Sequence, residues 1–89
     1  MNSKSLTHLR KQIDALDRAL LRLWSRRLKV AREIGKLKLD QSLSLKDRER
    51  EQRVIACAVK FGRSLGLPAS KVRTLMGIII ASSRQTQKR

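Results

Sequence analysis

Apolar positions along the first half of the chain recur in alternating steps of three and four: Leu6, Leu9, Ile13, Leu16, Leu20, Leu23, then position 27, then Val30, Ile34 and Leu37. That spacing places all of these side chains on one stripe of an α-helix. It predicts a first helix from about Leu6 to Leu39. At ~1.5 Å per residue such a helix is roughly 50 Å long, whereas a compact chain of this length is only about 30 Å across. The helix overshoots any body its own chain can build, and its stripe is apolar at both ends. A second copy of the chain is the simplest cover, with a two-fold homodimer the commonest arrangement. The near-heptad spacing also suits packing against another long helix.

A polar break follows at Asp40, Gln41 and Ser42. Ser44 and Asp47 then fit a capping box with Ser44 as N-cap, which predicts a second helix from about Leu45 to Leu65, stopped by Gly66. Pro68 suits the first turn of a third helix running toward Gln87. The chain contains no internal repeat. The expected fold is all-α, with three helices per chain, a long first helix and a dimeric bundle. A single domain is expected over residues 1–89, with 1–5 and 88–89 frayed.

Polar residues enter each apolar stripe at one place. Position 27 of the first is Arg27, a guanidinium that stays charged and is costly to bury without an acceptor. In the second helix, Val54, Cys57 and Phe61 form a stripe whose backward extension lands on Arg50 and Asp47. In the third, Met76 and Ile80 extend forward onto Ser83 and Gln87. Lys38 lies four past Ile34, Arg10 four past Leu6, and Glu51 one turn before Ile55, so each flanks a stripe and could reach around its edge. If these groups converge, they form a strongly cationic pocket with a few acceptors, suited to a small dianion that carries a hydroxyl.

Taken singly, each of these residues has a plainer reading. Arg27 fits a structural ion pair as well as a ligand site. Lys38 fits a surface lysine with a snorkelling stem, Asp47 a helix cap, and Ser83 with Gln87 a fraying helix end. His8 reads as solvent-facing, Trp24 and Cys57 as packing, and Arg84, Lys88 and Arg89 as solvated charge. Only the joint pattern separates a site from these readings.

Composition narrows the classes. The net charge of +15 predicts affinity for something anionic. One cysteine excludes an internal disulfide framework and fits a reducing cytoplasm. The N-terminus has no apolar signal-peptide core, and no apolar run reaches membrane-spanning length. There is no Cys/His cluster for a metal, no Ser/His/Asp set and no phosphate-cradling glycine loop.

The run Leu9-Arg10-x-x-Ile13-Asp14-x-Leu16-Asp17-x-x-Leu20-Leu21-x-Leu23, followed by Arg26-Arg27 and Ile34-Gly35-Lys36-x-Lys38, resembles the opening helix of the all-α (AroQ-class) chorismate mutases. Asp47-Arg48-Glu49-Arg50-Glu51 resembles that family's entry to its second helix, and Ile78-Ile79-Ile80 through Ser83 to Gln87 its third. The resemblance covers nearly the whole chain without gaps. It implies an intertwined homodimer with two equivalent sites, and the Claisen rearrangement of chorismate to prephenate on the way to phenylalanine and tyrosine. Carried over by position, Arg10 would reach into the partner's site and bind the substrate carboxylates together with Arg27. Lys38 and Gln87 would hydrogen-bond the ether oxygen. Glu51 and the backbone at Asp47 would hold the ring hydroxyl, with Arg50 and Ser83 supporting the carboxylate end. Lys38, Gln87 and Arg27 would be the catalytic set, with no cofactor and no metal. A stand-alone mutase without a fused dehydratase or dehydrogenase domain is the corresponding expectation.

Three alternatives remain open on the residues. One is another enzyme of the same fold, an isochorismate–pyruvate lyase or an aminodeoxychorismate mutase. The second is a basic nucleic-acid-binding helical protein, favoured by charge but opposed by the scarcity of aromatics and the spread of cations over several faces. The third is a helical dimerisation module without catalysis.

Overall fold

The computed structural model describes residues 5–40 and 47–87. They form α1 (Leu6–Asp40), α2 (Arg48–Ser64) and α3 (Ala69–Gln87). Ser5, expected to fray, instead caps α1: its hydroxyl accepts from the His8 N–H at 3.1 Å and its carbonyl from the Leu9 N–H at 3.0 Å.

The start of α2 is corrected by three residues. Asp47, in an extended conformation, is the N-cap, and its carboxylate accepts from the Arg50 N–H at 3.0 Å. Ser44 lies outside the described residues. The physical reason is the composition of the first turn. Starting at Arg48 puts Glu49 and Glu51 there, where the positive end of the helix dipole favours acids. Starting at Leu45 would leave that turn with one acid, Asp47, between Lys46 and Arg48. The C-terminus of α2 is a Schellman motif. The Leu67 N–H donates to the Gly62 carbonyl at 2.8 Å and the Gly66 N–H to the Arg63 carbonyl at 3.0 Å. Gly66 supplies the positive φ of 80° that this motif needs. Pro68 sits one residue earlier than expected, at the cap of α3 rather than in its first turn, and its carbonyl accepts from the Val72 N–H.

The central element is α3, which packs on both α1 and α2, while α1 and α2 do not pack on each other among the described residues. A gap is left between them, floored by α3. On α3 the buried face holds Val72, Ile80, Ser83 and Gln87, with Met76 half-buried, which is the stripe its spacing predicts.

The other two helices turn different faces inward from those expected. On α1 the face against the rest of the chain is Ala31 and Gly35, with Trp24 and Leu28 half-buried beside them. Small side chains let the axes of α1 and α3 approach, whereas the bulky leucine stripe next to them does not. That stripe is exposed along its whole length apart from Arg27, Leu20 by 64%. On α2, Cys57 and Phe61 are exposed, and Val59 and Gly62 are buried instead. Two apolar stripes run side by side on this helix, and the one with the smaller residues packs.

The resulting body is long and thin, 62 × 24 × 15 Å, with a radius of gyration of 17.0 Å. A compact chain of this length would have about 12 Å. Its own apolar core is Ala31, Val59, Val72 and Ile80. Among the described residues, no helix is long and apolar enough to cross a membrane.

Candidate active site

The gap between α1 and α2 is a pocket of about 400 Å³. Its apolar wall is Val30, Ala31 and Ile34 of α1, Val54 of α2 and Ile80 of α3. Its polar lining is Arg27, Lys38, Asp47, Arg50, Glu51, Ser83, Arg84 and Gln87. Seven of the eight residues singled out from the sequence are therefore brought together from all three helices. The exception is Arg10, which is exposed near the start of α1 and about 25 Å from Arg27 along the helix axis.

Each polar group is placed by its own helix. Arg27 is half-buried where the exposed leucine stripe meets the face that packs on α3. Its Nη1 donates to the Ser83 hydroxyl, and that hydroxyl in turn donates to the Ile79 carbonyl one turn back at 3.0 Å. Ser83 is thus satisfied in both directions and holds the guanidinium in one place. Lys38 is half-buried in the last turn of α1, where the negative end of the helix dipole suits a cation. Asp47, Arg50 and Glu51 come from the cap and first turn of α2, so the local hydrogen bond that starts the helix also positions them.

Gln87 is the last residue of α3, yet it is buried, with 9% exposure. A Cβ added at Gly35 would lie 2.9 Å from the Gln87 Cβ and 3.0 Å from its Cα. The absence of a side chain at Gly35 is what lets the end of α3 lie against α1. The fraying expected for this turn is therefore corrected: tertiary contact holds it.

Arg84 is a further correction. Assigned by sequence to the solvated tail, it places Nε 3.0 Å from Glu51 Oε2. That nitrogen is shielded from solvent and not aligned for a hydrogen bond, so the contact is a charge pairing. The available signal was symmetric: Arg84 lies four past Ile80, as Glu51 lies four before Ile55. The walls Val30, Ile34, Val54 and Ile80 were visible only as core stripe.

With four cations (Arg27, Lys38, Arg50, Arg84) against two carboxylates (Asp47, Glu51), the pocket favours an anion. Its volume fits a small organic molecule. The acceptors at the α2 end leave room for a hydroxyl on the same ligand. Fold and site together define an all-α protein that builds a cationic pocket between helices. The chain belongs to the chorismate mutase type II family, whose sequence pattern matches residues 9–88.

Two curated relatives agree. The T-protein of Enterobacter agglomerans is 35% identical over 78 residues, which is 88% of this chain and 21% of that protein. The bifunctional chorismate mutase/prephenate dehydratase of Escherichia coli K12 is 35% identical over 83 residues, 93% of this chain and 22% of that protein. The chain thus spans about a fifth of the length of the curated relatives it matches. A solved structure, described as a conserved hypothetical protein from Pyrococcus furiosus, superposes with a TM-score of 0.75 at 32% identity, over 97% of this chain and 99% of that one.

Proposed function

We propose that the chain converts chorismate to prephenate within aromatic amino acid biosynthesis. The observation that carries this reading is the convergence of Arg27, Lys38, Glu51 and Gln87 on one pocket in a member of this family. In this rearrangement the ether C–O bond breaks and a C–C bond forms within one molecule. No proton is transferred and no nucleophile is needed. What is needed is a flexible dianion held in a compact reactive shape, which arginine clamps provide. Charge also develops on the ether oxygen as the C–O bond stretches. Fixed donors stabilise that charge more in the transition state than in the substrate.

Roles follow from position. Arg27, held by Ser83, takes one carboxylate. Lys38 and Gln87 converge on the ether oxygen, Glu51 accepts from the ring hydroxyl with the Asp47 backbone beside it, and Arg50 supports the carboxylate end. Arg10 cannot reach the pocket of its own chain, so it serves the site of a second chain in an intertwined homodimer. The exposed leucine stripe and the extended body support that assembly. Both call for a long apolar partner surface. The single unpaired cysteine is the basis for proposing a cytoplasmic setting.

The second reading is a relative with the same cation set acting on isochorismate or aminodeoxychorismate. Glu51 in the pocket favours a substrate with a hydrogen-bond donor at the position of the chorismate hydroxyl over isochorismate, whose hydroxyl lies elsewhere on the ring. Turnover of the three compounds compared side by side tests the assignment. Prephenate from chorismate as the dominant reaction is expected, and its absence would overturn the proposal.

A further inference from the structure

The roles above give Arg84 nothing to do, although it lines the pocket and contacts Glu51. Ser83 and Arg84 are successive residues of α3. The first holds Arg27 of α1 by a hydrogen bond, and the second pairs with Glu51 of α2. One step of the central helix therefore anchors one ligand-facing group from each flanking helix. Glu51 and Arg84 also line an adjoining shallow groove with Arg48, Gln52 and Ile55, so the ion pair is the partition between site and groove.

We propose that Arg84 is a specificity-determining positioning residue, acting through Glu51 to make this end of the pocket select a neutral hydroxyl over an ammonium. The inference rests on the chorismate mutase reading. A lone glutamate attracts an ammonium as a full ion pair but a hydroxyl only through a hydrogen bond, so by itself it favours the amine. A guanidinium 3.0 Å away offsets the carboxylate charge that would otherwise attract an ammonium. A hydroxyl needs only an acceptor lone pair. An ionised carboxylate has about four such sites, so the pairing leaves some open. The pairing therefore penalises the amine far more than the alcohol. It also holds the glutamate, a side chain with several rotors, in one position.

The test compares kcat/KM for chorismate with that for 4-amino-4-deoxychorismate, an allylic amine protonated at neutral pH, used as competitive inhibitor if it is not turned over. Arg84→Gln is expected to lower the hydroxyl-over-amine ratio about tenfold or more, the scale of one interaction with a charged group. Arg84→Lys, which keeps the cation, is expected to retain most of the preference. In a Glu51→Gln background, Arg84→Gln is expected to change the ratio less than about twofold, because a residue acting through another has no separate effect once that other is neutral. The Arg84 side chain is 38% exposed, so its replacement opens no sealed cavity. Arg84→Met, which keeps the packed stem, serves the same comparison should the glutamine variant not fold. An Arg84→Gln ratio equal to the parent's, or an equal shift in the Glu51→Gln background, would overturn the inference while leaving the mutase reading in place. A folded parent that does not turn over chorismate would overturn both.

Discussion

At Gly35 the packing of two helices and the chemistry of the pocket depend on one missing side chain. An added Cβ would sit 2.9 Å from the Gln87 Cβ and 3.0 Å from the Gln87 Cα. The second of these is backbone, so relief requires moving the end of α3 rather than turning a flexible side chain. Gly35→Ala is therefore expected to displace Gln87 and lower kcat about 10–100-fold, in line with the cost of small misplacements at a reacting centre. Alanine improves helix propensity by up to about 1 kcal/mol, so the melting temperature should fall little. Steady-state kinetics beside a thermal melt separates the two effects, and unchanged kcat would show that the α1–α3 approach does not position a catalytic donor. For comparison, Gln87→Ala should cost about 10²–10³ in kcat if its amide is a transition-state donor. Much of this was legible at the residue scale. Arg27 stood out because a guanidinium on an apolar stripe needs an acceptor, and Ser83 provides one. Arg84 did not stand out, because its partner lies on another helix and periodicity orders residues only within one.

The helix starts and stops show how local chemistry sets the site. Asp47 caps α2 through the Arg50 N–H, and the same first turn carries Arg50 and Glu51 into the pocket. Removing the cap in Asp47→Ala should cost about 1 kcal/mol of stability. It should also raise KM by loosening that turn. Asp47→Asn keeps a capping oxygen, and if Asp47 serves the substrate through its backbone, affinity should remain near the parent's. Thermal melts and KM for the pair of variants check this, and an asparagine variant as impaired as the alanine one would assign the role to the carboxylate charge instead. The sequence pattern found three helices and their order but misplaced this start, because Ser44 and Asp47 are both good caps three residues apart. What separates them is the charge of the turn that follows. It also picked, on α1 and on α2, the apolar stripe that does not pack inside the chain, since a second stripe on each has helical spacing too. Small residues at the contact, Ala31 and Gly35 on α1 and Gly62 on α2, decided which stripe packs inside the chain.

That leftover stripe sets the argument for the whole molecule. The bulky face of α1 is exposed from Leu6 to Leu37 apart from Arg27, and Arg10 on the same helix lies outside the pocket its own chain builds. The proposed intertwined dimer would account for both facts with a single contact surface, because a partner α1 laid along the stripe would also bring a second Arg10 toward the site. This makes a sharp expectation for mixing experiments. Arg10→Ala and Arg27→Ala homodimers should each be nearly inactive, since every site lacks one jaw of the carboxylate clamp. Unfolded together and refolded at equal concentrations, about half of the dimers should be hybrids by random pairing of a two-fold assembly. In a hybrid, one site combines the Arg27→Ala chain with the partner's altered position 10 and has neither arginine. The other combines an intact Arg27 with an intact Arg10 from across the interface. Activity should therefore return to about a quarter of the parent's. If Arg10 instead served its own chain, no pairing of these variants could rebuild a complete site. Activity that stays at the level of the separate variants, with hybrid formation verified by native mass spectrometry, would remove Arg10 from the partner's site and the shared-site dimer with it.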